Sequence, residues 1–159
     1  MSRERKILIF GGIALALLGM SYGLYYAVFV EHQTLDQMGG SLAGAFVSAA
    51  EQNGPQAGTS LASYADAKYR YVRQVDVHSH WIGLAMLMIV FGVVFDELRF
   101  SERTRVLLAW ALFLGSAIFP LGVMLQTVDL QIIGSALAIA GSGLVILALG
   151  ATAAGFARA

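Results

Sequence analysis

The sequence contains no cysteine and is poor in charged residues. Only 13% of its 159 residues are Asp, Glu, Lys or Arg, whereas a typical soluble domain has about 25%. The lack of cysteine excludes disulfide bonds, iron–sulfur clusters, thiolate-ligated haem and cysteine nucleophiles. The formal net charge is +0 at pH 7, so no polybasic or polyacidic partner is indicated and nothing supports binding to nucleic acid.

Several catalytic motifs are also absent. The chain has no P-loop of the form GxxxxGK, no GxSxG nucleophile elbow and no HExxH zinc motif. These absences exclude the P-loop nucleotide hydrolases, the α/β-hydrolases and the HExxH metalloproteases as classes.

Apolar residues dominate instead. They make up 58% of the chain, and the mean hydropathy is +0.72. Four runs reach the length of about 20 residues that a helix needs to cross the hydrocarbon core. They cover residues 7–30, 77–95, 106–125 and 130–154. We therefore predict an all-α integral membrane protein, residues 1–159 forming one four-transmembrane-helix up-down-up-down bundle.

Lys and Arg are distributed unequally around the four spans. Seven of them lie before the first span, between the second and third, or at the C-terminus, and three lie between the first and second spans. Cytoplasmic loops carry the excess of positive charge. Both termini are therefore expected in the cytoplasm, and the 31–76 loop outside, in the periplasm of a bacterial inner-membrane protein.

The outer loop, residues 31–76, has helical patterns. Thr34 to Gln37 reads TLDQ, which predicts a capping box with Thr34 as the N-cap, and residues 53–55 are expected to end that helix. A second pattern begins near Thr59 and shows no helix breaker before the second span. The aromatic residues near the outer boundary indicate either an aromatic belt or a stacking surface for a cofactor or quinone; they are Tyr64, Tyr69, Tyr71 and Trp81.

Small and charged residues give two further expectations. Gly19 and Gly23 in the first span, and Gly134, Ala138 and Ser142 in the last, predict close helix contacts. The mixed charges between the second and third spans, residues 96–105, are typical of a solvated cytoplasmic turn.

All three histidines fall on the predicted outer side, and four of its acids belong to the same cluster. Antiparallel neighbouring helices would bring the end of the first span and the start of the second to the same depth. Ionisable residues at a membrane boundary are candidates for function. The set comprises Glu31, His32, Asp36, Asp76, His78, His80 and Asp129.

Three interpretations of this cluster remain open. In the first, His32 and either His78 or His80 ligate haem b from opposite sides, and Glu31 or Asp76 orients the free ring nitrogens. In the second, the three histidines bind copper or zinc directly, with Glu31 and Asp76 as further metal ligands. In the third, these side chains only reach lipid headgroups. A proton or quinone site is a further alternative.

Helical geometry limits the first two interpretations. Residues i and i+2 are about 200° apart on a helix, so His78 and His80 cannot both face one metal unless the chain is extended there. His78 shares the apolar face of its helix with Tyr71, Val75 and Ile82. We therefore predict that His78 is the residue that points inward.

The stretch Val77-His78-Ser79-His80-Trp81-Ile82-Gly83 resembles the histidine-bearing second helix of haem-copper oxidase central subunits. It also resembles small membrane families that begin a helix with H-x-H. The chain also resembles haem A synthase, whose four-helix halves carry histidines. The resemblance implies haem ligation by a histidine at the start of the second span. Both comparison families place a second histidine on a later helix, where this chain has none, which leaves His32 or another subunit as the second ligand.

The sequence thus supports two functional hypotheses. One is a haem- or transition-metal-binding membrane protein acting in redox chemistry, electron transport or assembly of a respiratory complex, with His32, His78 and His80 as ligands. The other is a cofactor-free accessory subunit whose polar outer part docks a larger membrane complex. A homo-oligomer is compatible with either.

Overall fold

The computed structural model describes residues 1–128 and 130–157. This part of the chain is helical and contains no strand. Its helices are α1 (Arg3–Phe29), α2 (Glu31–Ala50), α3 (Gly54–Val94), α4 (Glu102–Leu125) and α5 (Gln131–Ala157), with a short 3₁₀ turn at Phe95–Glu97. The predicted site residue Asp129 and the C-terminal Arg158 lie outside the described residues.

The prediction of four membrane-crossing helices is confirmed at the level of length and composition. α1, α3, α4 and α5 are each long and apolar enough to cross a membrane. α2 is the additional helix and belongs to the segment predicted as the outer loop.

The ends of α2 and the start of α3 differ from the sequence prediction. α2 begins at Glu31, immediately after a break at Val30, where φ is −122° and ψ is −42°. Thr34 is therefore inside the helix, and its hydroxyl donates to the Val30 carbonyl at 3.1 Å instead of capping a terminus. Asn53 begins the next helix, because its side chain accepts from the backbone N–H of Gln56 at 3.3 Å. Gln52, with φ of 57°, makes the tight turn between α2 and α3.

α3 is a single helix that joins the segment predicted as the outer loop to the second predicted span, as its lack of breakers predicted. Its 41 residues correspond to a length of about 60 Å at 1.5 Å per residue. Roughly 30 Å suffices to cross the hydrocarbon core, so α3 is about twice as long as one crossing requires.

α1 and α3 pack closely and run antiparallel, because two glycines allow their backbones to approach. A Cβ added at Gly12 would lie 2.8 Å from the Ala85 carbonyl oxygen, and one at Gly19 would lie 2.9 Å from Cβ of Trp81. The predicted contact at Gly19 is thus confirmed. Leu8, Met88 and Ala85 are fully buried and form part of the core.

α4 and α5 form a second antiparallel pair. Gly122 faces Gly134 and Ala138, and a Cβ added at Gly122 would lie 2.7 Å from the Gly134 carbonyl oxygen. The predicted contacts at Gly134 and Ala138 are confirmed. The Ser142 hydroxyl donates to the Ile139 carbonyl of its own helix at 3.1 Å, and the neighbouring Gly141 packs against Phe119. α5 packs mainly against α4, which packs on both α1 and α3.

Candidate functional site

The predicted site residues that the structure describes lie in the first turns of α2 and in the middle of α3. Gly23 of α1 lies beside His78, since a Cβ added there would be 3.3 Å from the ring carbon Cδ2. Further out, the Tyr71 hydroxyl donates to Oε1 of Glu31 at 3.3 Å. These two contacts define which residues of α1 and α2 lie at the same level as which residues of α3.

His78 is half-buried and faces α1, in agreement with the predicted inward orientation. Its Nδ1 lies 3.3 Å from the Gln74 carbonyl oxygen. Because a carbonyl oxygen can only accept, this hydrogen bond requires the proton on Nδ1. The lone pair is then on Nε2, which is the arrangement that metal-ligating histidines usually have.

His80 has the same local geometry but faces a different helix. Its Nδ1 lies 2.6 Å from the Asp76 carbonyl oxygen, and its ring packs edge-on against Phe119 of α4 with centroids 4.7 Å apart. His78 therefore points toward α1 and His80 toward α4. The two rings face different directions, as helical spacing predicted, but the expectation that only one of them points into the bundle is wrong.

His32 does not join these two histidines. Its side chain is 88% exposed and pairs with Asp36, one turn along α2, at 3.4 Å from Nε2 to Oδ2. Since Glu31 lies beside Tyr71, His32 is level with about residue 70 of α3, or about 12 Å further out than His78. This differs from the sequence expectation that both histidine-bearing ends share one depth.

Glu31 and Asp76 are likewise apart from a common centre. Glu31 accepts from Tyr71, and Asp76 contributes its backbone carbonyl, not its carboxylate, to the hydrogen bond with His80. Within residues 1–128 and 130–157, no three His, Cys, Asp or Glu side chains come together as a group that could hold a metal ion. A direct site built from all three histidines is therefore not assembled in the described part of a single chain.

Two of the boundary aromatic residues are interior residues. Trp81 is buried and makes an edge-on contact with Tyr22 of α1, with ring centroids 5.8 Å apart. Tyr71 packs against Tyr26 at 6.4 Å. Trp81 and Tyr71 thus pack in the α1–α3 interface, whereas Tyr69 is exposed.

This interface contains a polar layer that the sequence did not reveal. The Tyr26 hydroxyl and Trp81 Nε1 are buried and have no hydrogen-bond partner among the described residues. Gln74 Oε1 is also buried and unpaired, on the side of the helix where Gln74 Nε2 donates to Thr127 at 2.9 Å. An unpaired buried polar group costs about 1–3 kcal/mol. This part of the α1–α3 contact is therefore more polar than the glycine-rich contact further along the pair.

A second polar cluster, at the opposite end of the molecule, was predicted as a solvated turn, and for Arg105 that prediction is wrong. Arg105 Nε lies 3.0 Å from Oε1 of Glu4, whose side chain is fully buried, although the N–H is not directed for a hydrogen bond. Arg5 pairs with Asp96 at 3.2 Å. No sequence signal distinguished Glu4, which stands between arginines at the start of α1.

α2 and residues 54–76 of α3 form an antiparallel pair that we call the outer hairpin. Its interior is small and weakly apolar: Ala45 and Ser48 of α2 and Ala67 of α3 are buried. Beside Gly44 lies Ser60, where an added Cβ would be 3.5 Å from the hydroxyl oxygen. α2 packs mainly on α3, so most of the hairpin surface is uncovered.

The two sides of the outer hairpin differ in polarity. In each helix, the residue that directly follows an interior position in sequence points to one side of the hairpin. Because both helices are right-handed and antiparallel, these residues of α2 and α3 share the same side. This apolar side comprises Leu35, Leu42, Phe46, Ala49, Leu61, Ala65 and Val72, with Lys68 among them. Phe46 is 69% exposed and Leu61 50%.

The opposite, polar side is formed by the residues that precede the interior positions. It comprises Gln33, Gln37, Gly40, Thr59, Ser63, Asp66 and Arg70, interrupted by Val47. Arg70 and Asp66 form an exposed ion pair at 2.6 Å. The outer hairpin is thus an amphipathic element whose apolar residues face away from its own interior.

Comparison with known proteins finds no relative: no family model, no curated protein and no solved structure matches this chain. Its function is therefore inferred from its own residues and their geometry.

Proposed function

We propose that this chain is an accessory subunit of a membrane complex, anchored by four spans and acting through the outer hairpin. The observation that carries the proposal is the uncovered hairpin itself, which continues α3 beyond its predicted span and leaves exposed both an apolar side with Phe46 and a polar side with the Arg70–Asp66 pair. Exposed apolar surface of this kind is typical of protein–protein contact sites.

The position of the hairpin supports docking to protein and not to lipid. Leu61 lies sixteen residues before the predicted start of the second span, which is roughly 24 Å along a continuous helix. At that distance from the hydrocarbon core, a protein partner is better placed than lipid to cover its apolar side chain.

In the proposed topology the four spans run up-down-up-down, with both termini in the cytoplasm of a bacterial inner-membrane protein and the hairpin outside. The excess of Lys and Arg on the opposite side supports this orientation. The antiparallel contacts of α1 with α3 and of α4 with α5 are compatible with it.

Site-specific photo-crosslinking in native membranes tests the proposal. A photoreactive amino acid is introduced at Gln37 or Ser63, both exposed on the polar side, and as a control at Glu102, which is exposed at the opposite end. We expect adducts with a different membrane protein from the two hairpin positions and not from Glu102. The absence of adducts at every hairpin position, in protein that inserts normally, would overturn the proposal.

A second candidate function is ligation of haem b, copper or zinc by His78 or His80. It is favoured by one specific observation: both Nδ1 atoms bond to carbonyl oxygens, which leaves Nε2 of each ring as the ligating atom. Because the two rings face different helices and His32 lies further out, a second strong ligand would come from another subunit.

Absorption spectra of purified protein, oxidised and reduced, together with metal analysis, test this second candidate. A Soret band or bound metal that is lost in His78→Ala or His80→Ala, and retained in His32→Ala, would support it. A colourless, metal-free sample after haem and metals were supplied during expression would reject it.

A further inference from the structure

We propose that the apolar side of the outer hairpin binds a second copy of this chain, so that two hairpins form a four-helix bundle outside the membrane. The inference rests on the proposed function in taking the hairpin as a docking element. It assigns the apolar side to the second copy and leaves the polar side for the larger partner.

The apolar side has the pattern that such a bundle requires. Four-helix bundles bury one stripe per helix, and here Leu35, Leu42 and Phe46 supply a stripe on α2, while Leu61, Ala65 and Val72 supply one on α3. The hairpin alone buries little more than Ala45, Ser48 and Ala67. Two helices with so small an interior need further packing to be stable in water.

Symmetry determines which helices meet. Two copies in one membrane are related by a twofold axis along the membrane normal, which keeps every residue at its own depth. When the two apolar sides face each other about this axis, α2 of one copy lies opposite α3 of the other. A residue of α2 therefore faces, in the other copy, the residue of α3 that lies at the same depth.

Charge complementarity favours this arrangement. α2 carries Glu31 and Asp36 and no Lys or Arg, whereas the three bases of the 31–76 segment, Lys68, Arg70 and Arg73, are all on α3. Because Gly44 lies beside Ser60 and Glu31 beside Tyr71, Asp36 is level with about Lys68.

Each acidic α2 would thus lie opposite the more basic α3 of the other copy. Lys68 is exposed on the apolar side itself and forms no ion pair with Asp36 of its own chain. Confinement of both copies to one bilayer, with the same orientation, raises their effective concentration and further favours association.

Disulfide formation between two differently tagged copies tests the proposal, and the absence of native cysteine gives a clean background. Leu42→Cys in one copy is co-expressed with Leu61→Cys in the other, since these apolar-side residues are at nearly the same depth. The control pair is Gly40→Cys with Ser63→Cys, which are both exposed, also lie at nearly the same depth, and are on the polar side.

We expect a disulfide between the two tagged copies for the apolar pair and none for the control pair. The purified protein should have the mass of two copies. A monomeric mass without disulfide, or equal disulfide formation on both sides, would overturn the second-copy assignment. Capture of a different protein by Leu61→Cys in membranes would also overturn it, while leaving the accessory-subunit proposal standing.

A charge exchange provides an independent measurement. Lys68→Glu should weaken dimerisation about two- to fivefold, as expected for an exposed ion pair. Adding Asp36→Lys to the same chain should restore the affinity, because each reversed acid then meets a reversed base in the other copy. A double variant no better than Lys68→Glu would contradict the proposed pairing of α2 with α3.

Discussion

Arg105 of α4 and Glu4 of α1 form an ion pair with 3.0 Å between Nε and Oε1, and the glutamate side chain is fully buried. Arg105 also donates to the Asp96 carbonyl at 2.9 Å. One arginine thus connects α1, α4 and the turn after α3 at the predicted cytoplasmic end, where the sequence suggested only solvated charges.

Arg105→Gln is predicted to destabilise the protein by about 2–4 kcal/mol. Breaking a buried pair leaves an uncompensated charge and costs about 3–5 kcal/mol, and the partial exposure of Arg105 lowers that figure. Unfolding in detergent, followed by far-UV circular dichroism, measures the loss. Arg103→Gln is the matched control, because it removes the same charge at an exposed position. Equal losses in the two variants would show that the pair with Glu4 contributes nothing.

Asp96 should make stability dependent on acid pH. The Ser2 hydroxyl donates to it, and with Arg5 nearby this holds the pKa of the carboxyl below its ordinary value of 3.8. A lowered folded pKa means that the stabilisation is complete above the ordinary value and is lost as pH falls through the folded pKa. The stability difference between the native protein and Asp96→Asn should therefore shrink below about pH 4. A difference that is constant from pH 6 to pH 3 would contradict this prediction.

Gly122 is predicted to be indispensable to the α4–α5 contact. A Cβ there would meet the Gly134 carbonyl at 2.7 Å and also the backbone of Ala138, so Gly122→Ala must push the two helices apart. Gly143→Ala is the control, because a Cβ at that position has no atom within 4 Å. Alanine is favoured over glycine in a helix by about 1 kcal/mol, so the control should be neutral or more stable. We expect thermal unfolding to separate the two variants in opposite directions.

Two tyrosines in contact should respond differently to loss of the hydroxyl. Tyr26 is buried with an unpaired hydroxyl, so Tyr26→Phe removes an unsatisfied group and should leave stability unchanged or raise it. Tyr71 donates to Glu31 at 3.3 Å, so Tyr71→Phe should cost about 0.5–1.5 kcal/mol. Chemical unfolding of both variants measures the difference. A larger loss in Tyr26→Phe would indicate that its hydroxyl is paired in the membrane.

The four spans could be predicted from the sequence because length and hydropathy alone decide them. The continuation of the second span outward from Leu61 was also predictable, since no glycine or proline interrupts that stretch. The opposite orientations of His78 and His80 followed from helical spacing alone. These are local properties, which one sequence contains in full.

The relative depth of His32 and His78 could not be predicted, because it depends on the register of α1 against α3. That register is set by glycine contacts such as Gly12 with Ala85 and Gly23 with His78, and it moves His32 outward onto α2. The burial of Glu4 was hidden for a similar reason: its neighbours in sequence, Arg3 and Arg5, suggested solvent, while its partner Arg105 is on another helix.

The two arms of the long antiparallel pair differ in mechanical character. The arm made of α1 and α2 has a joint at Val30, whereas α3 passes the same level without interruption. A displacement of the hairpin end at Gln52 would therefore be transmitted along the whole of α3. In the other half of the pair, the change of angle between α1 and α2 would occur at Val30. A tilt of the hairpin end would therefore also move the far end of α3, where Asp96 pairs with Arg5.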